Sequence, residues 1–304
     1  MILIMSPKPR DDGLSEVVGF VLLLGVIVVA LSLYQVYAVP AAGRENEIAH
    51  MNQVKDRFVD YKIGLDSLWV NERHGVLLST AFDLGTGAGA TGGRVFTLPI
   101  FTPAGSGGTV SVMSGGANLT IEAGTESTTI PLGSLTYRSS NNYWVDQTWT
   151  YQMGAVFLSQ EEGTTVRVGP SIAAYKTTDG NTTLTIAPIS LDGAATIAGS
   201  GPVRVETRMR SSGSSSLNGA YDRVNLTIEA GDLTTARAWE RGFGEVRQRA
   251  IEEGVDTSSW SIERDGNTTR LIVRPPADES ETVTLKVYPA NYTVTIHNAA
   301  SLVE

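Results

Sequence analysis

The chain has 304 residues, 41% of them hydrophobic and 18% charged, with a net charge of −9. That length suits one large domain or two ordinary ones, and the acidic balance argues against nucleic acid as a partner, since phosphate binding needs a basic surface. Cysteine is absent, which excludes disulfides and thiolate metal sites.

Residues 1–13 read MILIMSPKPRDDG. Lys8 and Arg10 keep this end cytoplasmic under the positive-inside rule, whereas Asp11 and Asp12 count little for orientation. Residues 17–39 follow, a 23-residue uncharged run whose strongly polar side chains are Ser32 and Gln35. As a helix it reaches roughly 34 Å, enough for a hydrocarbon core of about 30 Å. A core helix of a soluble domain is the alternative, but such helices seldom exceed about 14 apolar residues without a polar face. The reading is therefore a transmembrane helix. Secretory cleavage after the run would need small residues in an A-x-A-like pattern. Val39-Pro40-Ala41-Ala42-Gly43 is a poor site, because Pro40 stands beside the cut.

Cleavage before the run is the other route. Arg10-Asp11-Asp12-Gly13, followed by Leu14-Ser15-Glu16-Val17-Val18-Gly19, resembles the class III signal peptide of archaeal type IV pilins. It is closest to the pilin-like surface proteins of haloarchaea. The five Lys against eighteen Arg, with the acidity, look like the composition of a protein from a high-salt organism. The resemblance implies that a prepilin peptidase cuts between Gly13 and Leu14 and that residues 14–39 stay on the mature chain. It also implies that this helix assembles with further copies (a homo-oligomer) or with other pilin subunits. Glu16 would then pair with the new amino group of a neighbouring Leu14, and Gly19 and Gly25 would permit close helix packing. Many bacterial relatives carry the acidic residue fifth in the mature chain, whereas Glu16 is third. An ordinary reading stands beside this one: Ser15 caps the helix and Glu16 is a first-turn acid stabilised by the helix dipole.

Pro40 predicts a kink or break. Beyond it, over residues 40–74, Met51, Val54, Phe58, Tyr61, Leu65 and Leu68 recur at spacings of 3 and 4, a heptad seam. Lys55, Asp56, Arg57, Asp60 and Lys62 occupy the other face. The seam packs either on the chain's own β-domain, the preferred reading, or in an intermolecular coiled coil.

From residue 75 on, short β-branched runs alternate with turn residues, the pattern of a β-sandwich or paired sheets. They fall at 76–78, 94–100, 109–113, 118–123, 151–158, 164–168, 182–187, 203–209, 224–229, 261–264, 270–273, 282–288 and 292–297. One helix interrupts them near 233–253, with Asp232 as N-cap and Ala236, Trp239, Phe243, Val246 and Ala250 on one face. The heptapeptide Asn-Leu-Thr-Ile-Glu-Ala-Gly occurs at 118–124 and again at 225–231, as a duplicated unit or a coincidence of strand pattern. The Ser- and Gly-rich residues 211–219 read as a linker or exposed loop between head segments 75–210 and 220–304.

Five Asn-x-Thr sequons, at Asn118, Asn181, Asn225, Asn267 and Asn291, lie in the part predicted to be extracellular. Each is a candidate for N-glycosylation or an ordinary strand or turn asparagine. Gly87, Gly89 and Gly92 fit G-x-G-x-x-G, but a strand-like segment follows instead of a helix, so the cluster reads as a loop. His50, His74 and His297 have no metal-ligand spacing, and no G-x-S-x-G elbow occurs. Glu161-Glu162 and Glu252-Glu253 read as solvated surface. No catalytic, cofactor or metal site is predicted.

The expected fold is α+β: a long N-terminal transmembrane, pilin-type helix and a β-rich, sandwich-like extracellular head. The expected function is that of a type IV pilin-like surface protein, anchored in membrane lipid and presenting a glycosylated head for filament formation or adhesion. The alternative is an uncleaved, monomeric, membrane-anchored binding or sensory ectodomain.

Overall fold

The computed structural model describes residues 12–87, 101–161, 163–178, 181–276 and 282–298, with side chains from Glu16 onward. The leader up to Asp11, the strand expected at 94–100 and the glycine cluster beyond Gly87 lie outside the described residues.

The N-terminal helix is long. Helix α1 (Asp12–Leu33) leads through a π-helical turn (Tyr34–Ala38) into α2 (Val39–Val70). The helical run Glu16–Val70 is 55 residues, roughly 80 Å. Pro40 does not break it. Proline lacks an N–H, and its ring would strike the carbonyl four residues back. The ladder is widened just ahead of it, where the amide of Val39 donates to the carbonyl of Tyr34, a five-residue step that marks a π turn. Every side chain from Glu16 to Tyr37 is exposed, and none of the most apolar stretch is buried by the rest of the molecule.

Docking begins at Gly43. All six residues of the heptad seam are 7% exposed or less, so the seam packs on the chain's own head. Each such side chain contributes about 1.5–3 kcal/mol by leaving water. The packing is aromatic at its centre: Phe58 meets Phe82 edge-on at 5.3 Å between ring centroids and stacks near Trp149 at 6.4 Å, and Tyr61 meets Tyr151 at 5.3 Å. Tyr61 and Thr207 share a hydroxyl hydrogen bond of 2.9 Å, and the Tyr292 hydroxyl donates to the Leu65 carbonyl at 2.9 Å.

Among the described residues the head contains three sheets, a β-rich architecture as the sequence pattern suggested. The central sheet has nine antiparallel strands: β14 (Ser261–Asp265), β15 (Thr268–Val273), β13 (Val224–Ala230), β2 (Gly107–Ala123), β3 (Glu126–Ser140), β4 (Thr148–Gln152), β5 (Ala155–Gln160) and β6 (Gly163–Val168) in order, with β10 (Ala194–Gly199) beside the first half of β2. A second sheet is β1 (Leu77–Asp83), β11 (Pro202–Ser212), β17 (Ala290–Asn298) and β9 (Ile189–Asp192). The third is β12 (Gly219–Tyr221), β16 (Val283–Val287), β8 (Thr182–Ile186) and β7 (Ile172–Lys176).

Alternation along β5 shows how the layers lie. Val156 and Leu158 enter the core formed by α2 and the second sheet, while Ala155 and Phe157 enter the core formed by the third sheet and the remaining helix. Successive strand residues face opposite ways, so the central sheet is covered on both faces. The two outer sheets are joined by paired strands: β8 runs into β9 and β16 into β17, each parallel to the other. Pro188 and Pro289 sit at the crossings, where a residue without an N–H suits an interrupted ladder.

That remaining helix, α3 (Leu233–Glu252), is capped as expected: the Asp232 carboxylate accepts from the Thr235 amide at 2.9 Å. Trp239 and Phe243 are buried, and the Trp239 indole donates to Gln152 Oε1 at 2.7 Å. A Cβ at Gly242 would meet the ring of Phe157 only at ordinary contact distance, 3.6 Å, so the roughly 1 kcal/mol a mid-helix glycine costs is offset by the burial of the rest of this face.

The two identical heptapeptides are hydrogen-bonded partners. Residues 117–123 of β2 pair antiparallel with β13, placing Thr120 opposite Thr227 at the centre, Asn225 opposite Glu122 and Asn118 opposite Glu229. Their connections differ, since β2 turns directly into β3 whereas β13 leads into α3. Nor do residues 211–219 separate two units. Strands from before and after them share all three sheets, Leu217 is buried, and Asn218 Oδ1 accepts from the Val287 amide at 2.6 Å. Its ends belong to β11 and β12, and residues 213–218 between them form an anchored loop.

Candidate functional site: the junction of helix and head

The distinctive geometry lies where the exposed helix meets the head. The buried stripe of α2 runs about two turns beyond the heptad seam, through Glu47 to Gly43. Glu47 is 1% exposed, and its carboxylate accepts from the amides of Asn142 at 2.7 Å and Tyr143 at 2.8 Å. Those amides belong to the β3–β4 loop, residues 141–147. A buried carboxylate is tolerated because both oxygens hold charge-assisted hydrogen bonds. Gly43 lies against the ring of Tyr143, and a Cβ there would overlap it.

The loop is braced in turn. The Tyr143 hydroxyl accepts from the Ala104 amide at 3.1 Å, and Asn142 Nδ2 donates to the Gly105 carbonyl at 3.0 Å. The Arg44 guanidinium lies 4.4 Å from the centroid of the Trp144 ring. Phe101, on the neighbouring loop, meets Tyr34 of the π turn edge-on at 5.7 Å. His50 Nε2 donates to the Asp83 carbonyl at 2.9 Å, tying α2 to the end of β1.

Of the assembly residues expected from the sequence, Glu16 is exposed, and a Cβ added at Gly19 or Gly25 would meet nothing within 4 Å. Gly13 and Leu14 have helical backbone within α1. The sequons divide by burial. Asn267 and Asn291 are exposed, Asn118 and Asn181 half-buried, and Asn225 only 9% exposed. Asn225 Nδ2 donates to Glu122 Oε2 at 2.9 Å in the middle of the central sheet, so its amide is not presented to a glycan-transferring enzyme. Glu47, Gly43 and Tyr143 were not singled out in the sequence. A signal existed for the first two, because 43 and 47 continue the 3–4 spacing of the seam backwards, and a carboxylate on an apolar stripe calls for a partner.

On the α3 face of the central sheet an open trough of about 1060 Å³ runs from the α3 N-terminus to Val145 and Asp146. Thr136, Arg138, Thr150 and Gln152 line its floor. Among the described residues no three His, Asp or Glu gather as a metal cluster.

The sequence profile of one family, described as a family of unknown function (DUF7289), matches residues 106–288. The chain belongs to DUF7289. No curated protein and no solved structure matches it. In this DUF7289 protein the matched segment opens at the start of β2 and closes just past β16, taking in the central sheet, α3 and the third sheet. The β3–β4 loop lies inside it, whereas α1, α2 and β1 lie before it. The junction therefore joins the family's segment to the apolar helix.

Proposed function

We propose that this is a type IV pilin-like surface protein, made with a class III signal peptide and held in the membrane by residues 14–39, with its β-rich head outside the cell. One observation carries the reading: a single continuous helix is bare and apolar through its first half and sewn to the head through its second. Removing the 19 apolar side chains of residues 17–39 from water, as a bilayer or a bundle of equivalent helices would, is worth on the order of 20 kcal/mol, and the head leaves those from Val17 to Tyr37 exposed. In this reading a prepilin peptidase cuts between Gly13 and Leu14, and the freed helix moves from lipid into contact with other copies, with Glu16 at its head. Glycans on exposed sequons and adhesion by the head belong to the same proposal.

N-terminal sequencing of the protein taken from its own cells tests it. A chain starting at Leu14 is expected; one starting at Met1 overturns the proposal. That second outcome would favour an uncleaved membrane-anchored binding ectodomain, for which the polar trough beside Arg138 offers a binding surface.

A further inference from the structure

We infer that residues 141–147 rest in the headgroup layer of the bilayer that the helix spans and that Phe101 dips below them into the edge of the hydrocarbon, so that the head stands on the membrane instead of above it. The inference requires only that residues 17–39 cross a bilayer; it does not depend on cleavage or filament assembly.

The geometry comes from the helix used as a ruler. The uncharged run ends at Val39, and Arg44 is the first charged residue after it. Tyr34, which holds Phe101 at 5.7 Å, lies five residues inside the run, about 7.5 Å below its end at 1.5 Å per residue. Arg44, which holds Trp144 at 4.4 Å, lies five residues beyond, about 7.5 Å above. The loops bearing Phe101 and Trp144 therefore bracket the end of the apolar run. A bilayer with a hydrocarbon core of about 30 Å is about 40–45 Å thick with its headgroups, leaving roughly 5–8 Å of interface on each side. Trp144 therefore stands at headgroup depth, while Phe101 reaches the upper edge of the hydrocarbon core.

Their chemistry suits it. Trp and Tyr concentrate where bilayer meets water, because their rings are apolar and their N–H and O–H groups polar. Tyr34, Tyr37, Phe101, Trp144 and the exposed Val145 (49%) supply the apolar part. Arg44 supplies a cation beside the phosphate layer; of the nearby acids, Glu45 is exposed and the Asp146 carboxylate accepts from the Asn141 amide at 2.8 Å. The loop cannot swing away freely, since Glu47 holds it by two amides. A second copy of the chain is the competing occupant, but only lipid is bound to lie at this depth around a lone subunit.

The absence of cysteine makes the test direct. Val145→Cys and, as a distal control, Val70→Cys are each introduced into the full chain. Val70 is 31 residues past Val39, about 46 Å up the helix. Both variants are labelled with an environment-sensitive fluorophore and reconstituted at low protein-to-lipid ratio into phosphatidylcholine–phosphatidylglycerol vesicles, with and without headgroup-nitroxide lipid. The expected result is flotation of both variants, with quenching at position 145 at least threefold that at position 70. Flotation with equal, weak quenching at both positions overturns the inference and leaves the span intact. Failure to float overturns the span, and the inference with it. Shielding at position 145 that appears only as protein density rises, without lipid quenching, assigns the loops to a second copy and also overturns the inference.

Discussion

At the scale of single residues the junction depends on one carboxylate. Glu47 satisfies two loop amides, and losing this charged acceptor leaves both N–H groups desolvated and unpaired. Glu47→Ala is expected to destabilise the head by about 3 kcal/mol. Glu47→Gln, which keeps one carbonyl oxygen as acceptor, should cost less. Urea unfolding followed by tryptophan fluorescence checks both, and equal stability of Glu47→Ala and the parent would contradict the clamp. The sequons give a second residue-scale prediction. Peptide mapping of protein from its own cells is expected to find glycan at Asn267 or Asn291 and none at Asn225, whose amide is committed to Glu122. Occupancy at Asn225 would be incompatible with the closed pairing of β2 and β13.

At the scale of elements the long helix divides its work. Its C-terminal half gains stability from tertiary packing, as a helix with an apolar seam must in water. Ahead of the π turn, from Glu16 to Leu33, every side chain is exposed, and there the side chains matter to what lies outside the molecule. Gly19→Leu and Gly25→Leu are thus expected to leave the head's unfolding free energy within about 0.5 kcal/mol of the parent, as surface changes do. Any effect should appear in helix association, read by cross-linking in membranes. A large loss of head stability in either variant would mean that α1 folds back on the head. The heptad seam could be read from spacing because a helix repeats every 3.6 residues. The π turn could not be, since it answers a local conflict between Pro40 and the carbonyl behind it that admits more than one solution.

At the scale of the whole molecule, four tyrosines knit α2 to two sheets. Burial pushes the hydroxyls of Tyr61, Tyr137, Tyr151 and Tyr292 well above the ordinary tyrosine range. Neighbouring carboxylates add to this, Asp146 and Asp83 at Tyr137 and Asp66 at Tyr151 and Tyr292. The folded chain therefore keeps protons that the unfolded chain releases near pH 10. Stability from these groups is complete below about pH 10 and is lost as pH climbs towards their folded values, by up to about 1.4 kcal/mol per pH unit for each tyrosine. Unfolding midpoints measured between pH 8 and pH 11 should be flat at first and then fall. A midpoint that stays level to pH 11 would show that these hydroxyls are not buried. The same interleaving explains why the head has no internal boundary at residues 211–219: strands from either side of that loop complete all three sheets.

The sequence by itself determined the apolar span, the amphipathic continuation, the capped helix α3 and most of the strands, because each rests on local periodicity that needs no distant partner. Only the tertiary structure decided what those elements face. Residues 151–158 read as one strand but form a hairpin, turned at Met153 and Gly154, both with positive φ. Nothing in the spacing of the two heptapeptides revealed that they pair with each other, and Asn225 looked like any other sequon until Glu122 was seen across the sheet. The same holds for the apolar helix. Its apolarity is written in residues 17–39, but the loops that meet it come from residues 101 and 141–147, and strand pairing over long separations alone brings them to Tyr34, Gly43 and Glu47.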